Sequence, residues 1–178
     1  MPPRTRIERS MIIQAAYEIA REKGIEAVNA RSVSSRLGCS TQPVLYCFSS
    51  MEELKRAVYA KADEAHTAYI TELDGSRDPV LQIGLNYVEF ARTEKNLFKL
   101  LFQSDSLGCK DIMTMLDASE TRPIIEMVAQ SLGCSFDKAR RRFASRFFLV
   151  HGIASLMANN SLAYDKDLIE SIIMEGRD

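Results

Sequence analysis

The chain has 178 residues, 46% hydrophobic and 26% charged, a balance that supports a packed core and excludes a disordered polymer. No apolar run approaches the roughly 18 residues of a membrane span, and the charged start, Met1 to Arg9, is not followed by the apolar stretch of a secretory leader. The overall charge of −1 hides an asymmetry: residues 1–60 hold nine Lys/Arg against six Asp/Glu, whereas residues 61–178 hold fourteen against eighteen. Any polyanionic partner is therefore expected at the front, although a net of three charges is also that of an ordinary solvated surface. The four cysteines, Cys39, Cys47, Cys109 and Cys134, show no CxxC spacing and have only His66 and His151 for company. Reduced thiols in a cytoplasmic protein without metal or cofactor are the expectation.

Helical periodicity dominates, and no hairpin signature interrupts it. A first helix is expected over Thr5 to Lys23, with Ile12, Ala15, Ala16, Ile19 and Ala20 on one face. Gly24 stands where a left-handed residue ends a helix. Asn29 is suited to cap a second, short helix through Leu37, which Gly38 closes. Ser40 is read as the next cap, with Thr41-Gln42-Pro43 as the first turn; proline loses no hydrogen bond there. Val44, Cys47 and Phe48 are assigned to the buried side, and Thr41, Gln42, Leu45 and Tyr46 are left outside. Ser50 and Glu53 have the spacing of a capping box for a fourth helix toward Leu73. After a break at Gly75–Pro79, Asp78 caps a helix to about Glu94. A short apolar piece follows at 96–103, then helices near 109–118 and 121–132, a long one over 135–159 and a last one over 165–175. In the long helix Phe143, Phe147, Val150, Ala154 and Met157 form one apolar stripe, and Phe148, Leu149, Ile153 and Leu156 a second. A helix apolar on two sides requires cover on two sides.

Two short helices joined by a glycine turn form a helix-turn-helix, whose second helix can enter the major groove of DNA. Gln42 suits adenine, Thr41 a base edge or phosphate, and Leu45 or Val44 a thymine methyl. Arg31 and Tyr46 are placed to grip the backbone, which sets register, and Ser40 at the cap joins them. Arg4, Arg6 and Arg9 are candidates for the adjacent backbone or minor groove.

The stretch "AAYEIAREKGIEAVNARSVSSRLGCSTQPVLYCFSSMEELKRAV" resembles the DNA-binding domain of the TetR (tetracycline repressor) family of bacterial transcription regulators. The Ala-rich first helix ending in Gly24, Val33, the Gly38-Cys39-Ser40 turn, Phe48 and Glu52-Glu53-Leu54 carry the likeness. "NLFKLLF" and "HGIASLM" are similar to segments of some C-terminal domains in the family. The resemblance implies an all-α fold, with a helix-turn-helix domain over residues 1–50 and a helical ligand-binding and dimerisation domain over residues 51–178. It also implies a homodimer joined through the last two helices, a palindromic duplex operator, and a small-molecule effector among the middle helices that releases a repressor. Two departures stand out. Leu45 occupies a frequent tyrosine position, with Tyr46 one residue later, and Met51 replaces a phosphate-contacting lysine, for which Lys55 one turn on is the substitute.

For the effector, Phe90, Phe98, Phe102, Met113, Met115 and Met127 are candidate lining residues, with His151 beside them; the same types also fill cores. Arg140-Arg141-Arg142 reads either as a basic patch or, by default, as a solvated helix start. A helical interaction module without DNA recognition is the alternative function. A Cys/His enzyme lacks any legible third residue or oxyanion motif.

Overall fold

The computed structural model describes residues 7–104 and 121–175. The regular elements there are all helical: α1 Arg9–Lys23, a 3-10 turn Ile25–Ala27, α2 Ala30–Leu37, α3 Gln42–Cys47, α4 Met51–Ile70, α5 Pro79–Thr93, α6 Lys95–Phe102, α7 Arg122–Leu132, α8 Phe136–Asn159 and α9 Lys166–Glu175. The helix expected near 109–118, with Cys109, Met113 and Met115, lies outside the described residues. No described helix is long and apolar enough to cross a membrane. Two compact units emerge: residues 7–66 with 94–104, and residues 67–93 with 121–175.

The first unit is built around α1. Its buried face is Ile12, Ala15, Ala16, Ile19 and Ala20, the five residues that the periodicity picks out. Three of them are alanines, so α2, α3 and α6 can approach its axis closely. Gly24 has a positive φ of 85°, as expected, but its ψ of 161° is extended. The chain leaves α1 there and winds into the 3-10 turn rather than closing a left-handed cap. The carboxylate of Glu94 grips Arg21, with Nε donating at 2.7 Å, and Asn96 Nδ2 donates to the Arg21 carbonyl at 2.9 Å. These bonds fasten the region around the start of α6 to the last turn of α1.

The second unit surrounds α5. Asp78 caps it, its Oδ1 accepting from Leu81 N–H at 3.1 Å. Seven α5 residues are buried, including Leu81, Ile83, Leu85, Tyr87 and Phe90, too many for a single stripe. The helix is accordingly enclosed by α7, α8 and α9. At Gly84 the side chains of Val150 and Ile173 come within 3.6 and 3.7 Å of where a Cβ would stand, so α8 and α9 close over the one α5 position without a side chain. On α8, Val150, Ala154 and Met157 are buried. The second apolar stripe behaves differently: Phe148, Leu149 and Leu156 remain exposed, as does Leu168 on α9. The two-sided cover expected from the sequence is present on one side only within a single chain.

His66, near the end of the α4 segment in the first unit, is buried and meets the Phe102 ring edge-on at 5.1 Å between centroids. Burial lowers its pKa from 6.5 to about 4, because a charged imidazole is poorly solvated there. The folded chain therefore holds His66 neutral while the unfolded chain takes up a proton below about pH 6.5. This contribution to stability is fully present above that pH and is lost as the pH falls toward 4, amounting to about 3 kcal/mol at the acid limit. Thermal unfolding followed by circular dichroism should show the midpoint falling across this window, and His66→Phe should flatten the fall. Parallel curves for the two proteins would contradict it.

Candidate nucleic-acid interface

The Ser32–Ser50 stretch folds as two helices at a glycine corner. Asn29 Oδ1 accepts from the N–H groups of Arg31 and Ser32 at 3.1 and 3.0 Å, and Ser32 Oγ accepts from Asn29 N–H at 3.1 Å. This reciprocal box satisfies the free donors at the start of α2. Gly38 ends α2 in the left-handed conformation, φ 64° and ψ 32°, where a Cβ would crowd the backbone. Cys39 N–H returns to the Ser34 carbonyl at 3.0 Å, closing the corner.

α3 begins one residue later than the sequence suggests. Thr41, not Ser40, occupies the cap position; its backbone is already right-handed helical, its side chain makes no capping bond, and its carbonyl accepts from Leu45 N–H at 3.1 Å. Pro43 then falls at the second helical position, still among donors that have no internal partner. Val44 has no exposed surface and Phe48 is buried. Val44 is therefore withdrawn as a candidate for a thymine methyl: its side chain belongs to the core. Ser40, Thr41 and Gln42 are exposed, Leu45 is 61% exposed and Tyr46 92%. Thr41, Gln42, Leu45 and Tyr46 follow helical spacing and share the outward face.

Arg9, a sequence candidate for the adjacent backbone or minor groove, is engaged within the fold. Its Nη1 donates to the Cys47 carbonyl at 2.6 Å, its Nη2 meets Glu53 Oε1 at 2.8 Å, and its guanidinium lies 4.0 Å from the centroid of the Phe48 ring. It fastens the end of α3 to α1 and α4 rather than reaching toward a groove. Arg4 and Arg6 lie outside the described residues. Glu53 also accepts from Ser49 N–H and Oγ at 2.8 and 2.7 Å, and its own N–H donates to Ser50 Oγ at 3.2 Å. The expected box is thus half as drawn, with its return arm on Ser49 instead of Ser50. The Ser49 bonds, helped by Arg9, lower the Glu53 pKa to about 2.

Three further cations divide into two sets. Arg36 is held by Glu18 and Glu22 of α1, which locks α2 onto α1. Lys55 lies 3.6 Å from Glu26 and 3.9 Å from Glu52. Arg31 is exposed and forms no ion pair with a described residue.

The effector candidates fall in both units. Phe98 and Phe102 pack on one another in the first, with ring centroids 5.0 Å apart. In the second, Phe90 is buried and meets Tyr69 edge-on at 5.5 Å, while Met127 is half-buried. His151 Nδ1 is 2.9 Å from Tyr87 Oη, and its ring stacks on Phe147 at 5.5 Å. Burial raises the Tyr87 pKa and lowers that of His151, so the pair is neutral and shares one hydrogen bond.

Among solved structures, a TetR-family member from Streptomyces coelicolor A3 superposes with a TM-score of 0.63 over 94% of this chain and 96% of that one, at 20% identity. This chain has the TetR-family fold. The multidrug binding protein EbrR, complexed with proflavin, superposes with a TM-score of 0.60 at 16% identity, covering 94% of this chain and 98% of that one. In sequence, the HTH-type transcriptional regulator PksA of Bacillus subtilis (strain 168) is 23% identical over 188 residues, covering 94% of this chain and 86% of that protein. No family model matches. The likeness carried by residues 12–61 thus extends to the fold of nearly the whole chain.

Removing the Arg9 clamp should loosen α3 without touching its outer face. Arg9→Ala is expected to destabilise the first unit by about 1–2 kcal/mol, the scale of a charge-assisted hydrogen bond reduced by solvent screening. Amide hydrogen exchange at residues 44–48 should accelerate relative to the rest of α1–α4. Unchanged exchange there would show that Val44 and Phe48 hold the helix unaided.

Proposed function

We propose that the chain is a ligand-responsive transcriptional regulator: a homodimer that represses from a palindromic duplex operator and is released by a small molecule. The observation that carries this reading is the outward face of α3. A six-residue helix whose inner face is sealed leaves Leu45 and Tyr46 exposed, at a cost in apolar hydration that a free surface does not require. Beside them stand an amide and a hydroxyl, groups that read base edges.

In this reading Gln42 pairs with a base, Leu45 covers a thymine methyl, and Thr41 and Ser40 contact base or phosphate. Tyr46 and Arg31 hold the backbone and set the register. Lys55, shared with Glu26 and Glu52, is a weaker phosphate ligand. The exposed stripe of Phe148, Leu149 and Leu156, with Leu168, gives a second copy an apolar surface to cover. Such pairing would present two α3 helices to major grooves about 34–36 Å apart. EbrR's complex with proflavin supports a small-molecule effector, for which Phe90, Met127 and His151 in the second unit are the proposed contacts. An effector that favours one spacing of the two α3 helices would weaken DNA binding by its differential affinity.

Gel shifts on the DNA flanking the chain's own gene test this reading. Tyr46→Ala should leave stability within about 0.5 kcal/mol yet weaken binding on every sequence. Gln42→Ala with Thr41→Ala should relax sequence preference by about 1–3 kcal/mol per lost base contact. Affinity should fall steeply with salt; a flat dependence, or preference intact in the double variant, contradicts the assignment of α3. For the dimer, Leu156→Asp with Leu168→Asp should yield monomers in sedimentation, and a persistent dimer would place the interface elsewhere.

A further inference from the structure

A pocket of about 430 Å³ opens on the second unit, where the start of α5, the end of α7 and the first turns of α8 converge. Its walls have two characters. Val80, Val128 and Phe143 supply apolar surface, continuous with a small core in which Ile125, Val128 and Ala139 are buried. Arg141, Arg142 and Arg146 bring positive charge to its lining; Arg146 is already engaged by another group, which leaves Arg141 and Arg142. Asp78 is the one carboxylate among the described lining residues, and its Oδ1 is engaged in capping α5. Neither Arg141 nor Arg142 forms an ion pair with a described residue.

The charge is out of keeping with its surroundings. Residues 61–178 carry four more acidic than basic side chains, yet among its described lining residues this concavity gathers three arginines against one aspartate. The guanidinium fork matches carboxylate and phosphate oxygens two at a time. A pocket of this size lies within the usual range for small-molecule sites, about 300–1,000 Å³. None of the proposed DNA contacts belongs to it, so duplex binding does not account for it.

We propose that this pocket binds a small amphiphilic anion, with a carboxylate or phosphate head on Arg141 and Arg142 and an apolar body of about ten carbons against Val80, Val128 and Phe143. The pairing of wall and ligand explains both features at once. The apolar surface alone would accept a neutral molecule, and the arginines alone would accept inorganic phosphate. Together they select a molecule that is both apolar and anionic. The site depends on the second unit alone and stands whether or not the chain binds DNA.

Isothermal titration of the full chain, without DNA, tests it with four probes: 2-naphthoate, 1-naphthyl phosphate, inorganic phosphate and 2-naphthylmethylammonium. One saturable site per chain is expected for at least one of the two naphthyl anions, and the better of them identifies the preferred head group. Inorganic phosphate and the naphthyl cation should bind at least about ten-fold more weakly. Arg141→Gln with Arg142→Gln should reduce affinity for the preferred anion by at least about ten-fold, with the helical circular dichroism unchanged. Should that double variant fail to fold, Leu132→Glu, at a lining position that is 45% exposed, sets a carboxylate beside the arginines and should produce the same loss. The proposal is overturned if the cation binds as well as the anions, if neither naphthyl anion saturates, or if a folded variant binds like the unaltered chain.

Discussion

The structure depends on how α3 is anchored. Six residues form too short a helix to be stable by propensity alone, and this one contains a proline. What fixes it is the burial of Val44 and Phe48 beneath it and the grip of Arg9 on its last carbonyl, on Glu53 and on the Phe48 ring. With its inner face committed, the orientation of its outer face follows, because residues 41, 42, 45 and 46 can then point only outward. The glycine at position 38 sets the angle at which α3 leaves α2, and the Arg36 pairs hold α2 against α1. The potential reading surface is thus presented by a rigid support, as a site that must match another surface to within ångströms requires.

The second unit follows a different logic. Its organising element is a helix enclosed by α7, α8 and α9, and the glycine at position 84 lets α8 and α9 come near. The Tyr87–His151 hydrogen bond satisfies two polar groups that burial would otherwise penalise. Where the start of α5, the end of α7 and the early turns of α8 converge, a concavity lined in part by arginines is left. Apolar side chains exposed on α8 and α9 mark the other place where one chain does not complete its own burial.

Local physics made much of this legible in the sequence. The α1 stripe, the caps at Asn29 and Asp78, and the left-handed Gly38 all involve residues within a few positions of one another. They follow from periodicity and from the unsatisfied donors and acceptors of helix ends. The alternation of buried Val44 with exposed Leu45 and Tyr46 follows from the same periodicity. What the sequence concealed is what long separations create. Arg9 and Cys47 are 38 residues apart, and Arg21 and Glu94 are 73; no pattern along the chain pairs them. Lys55 looks free until the 3-10 turn brings Glu26 beside it. Arg141 and Arg142 look like an ordinary solvated helix start until α5 and α7 supply the facing apolar walls. Ser40 and Thr41 are both chemically fit to precede a helix, and only the backbone angles decide between them.

The most direct measurement is selection of sheared DNA from the source genome by the purified chain, followed by sequencing of what is retained. The account predicts enrichment of a two-fold symmetric motif whose half-sites are centred one helical turn, about 10–10.5 base pairs, or a multiple of it apart. Retention of no fragment above background, with the chain running as a monomer, would contradict it.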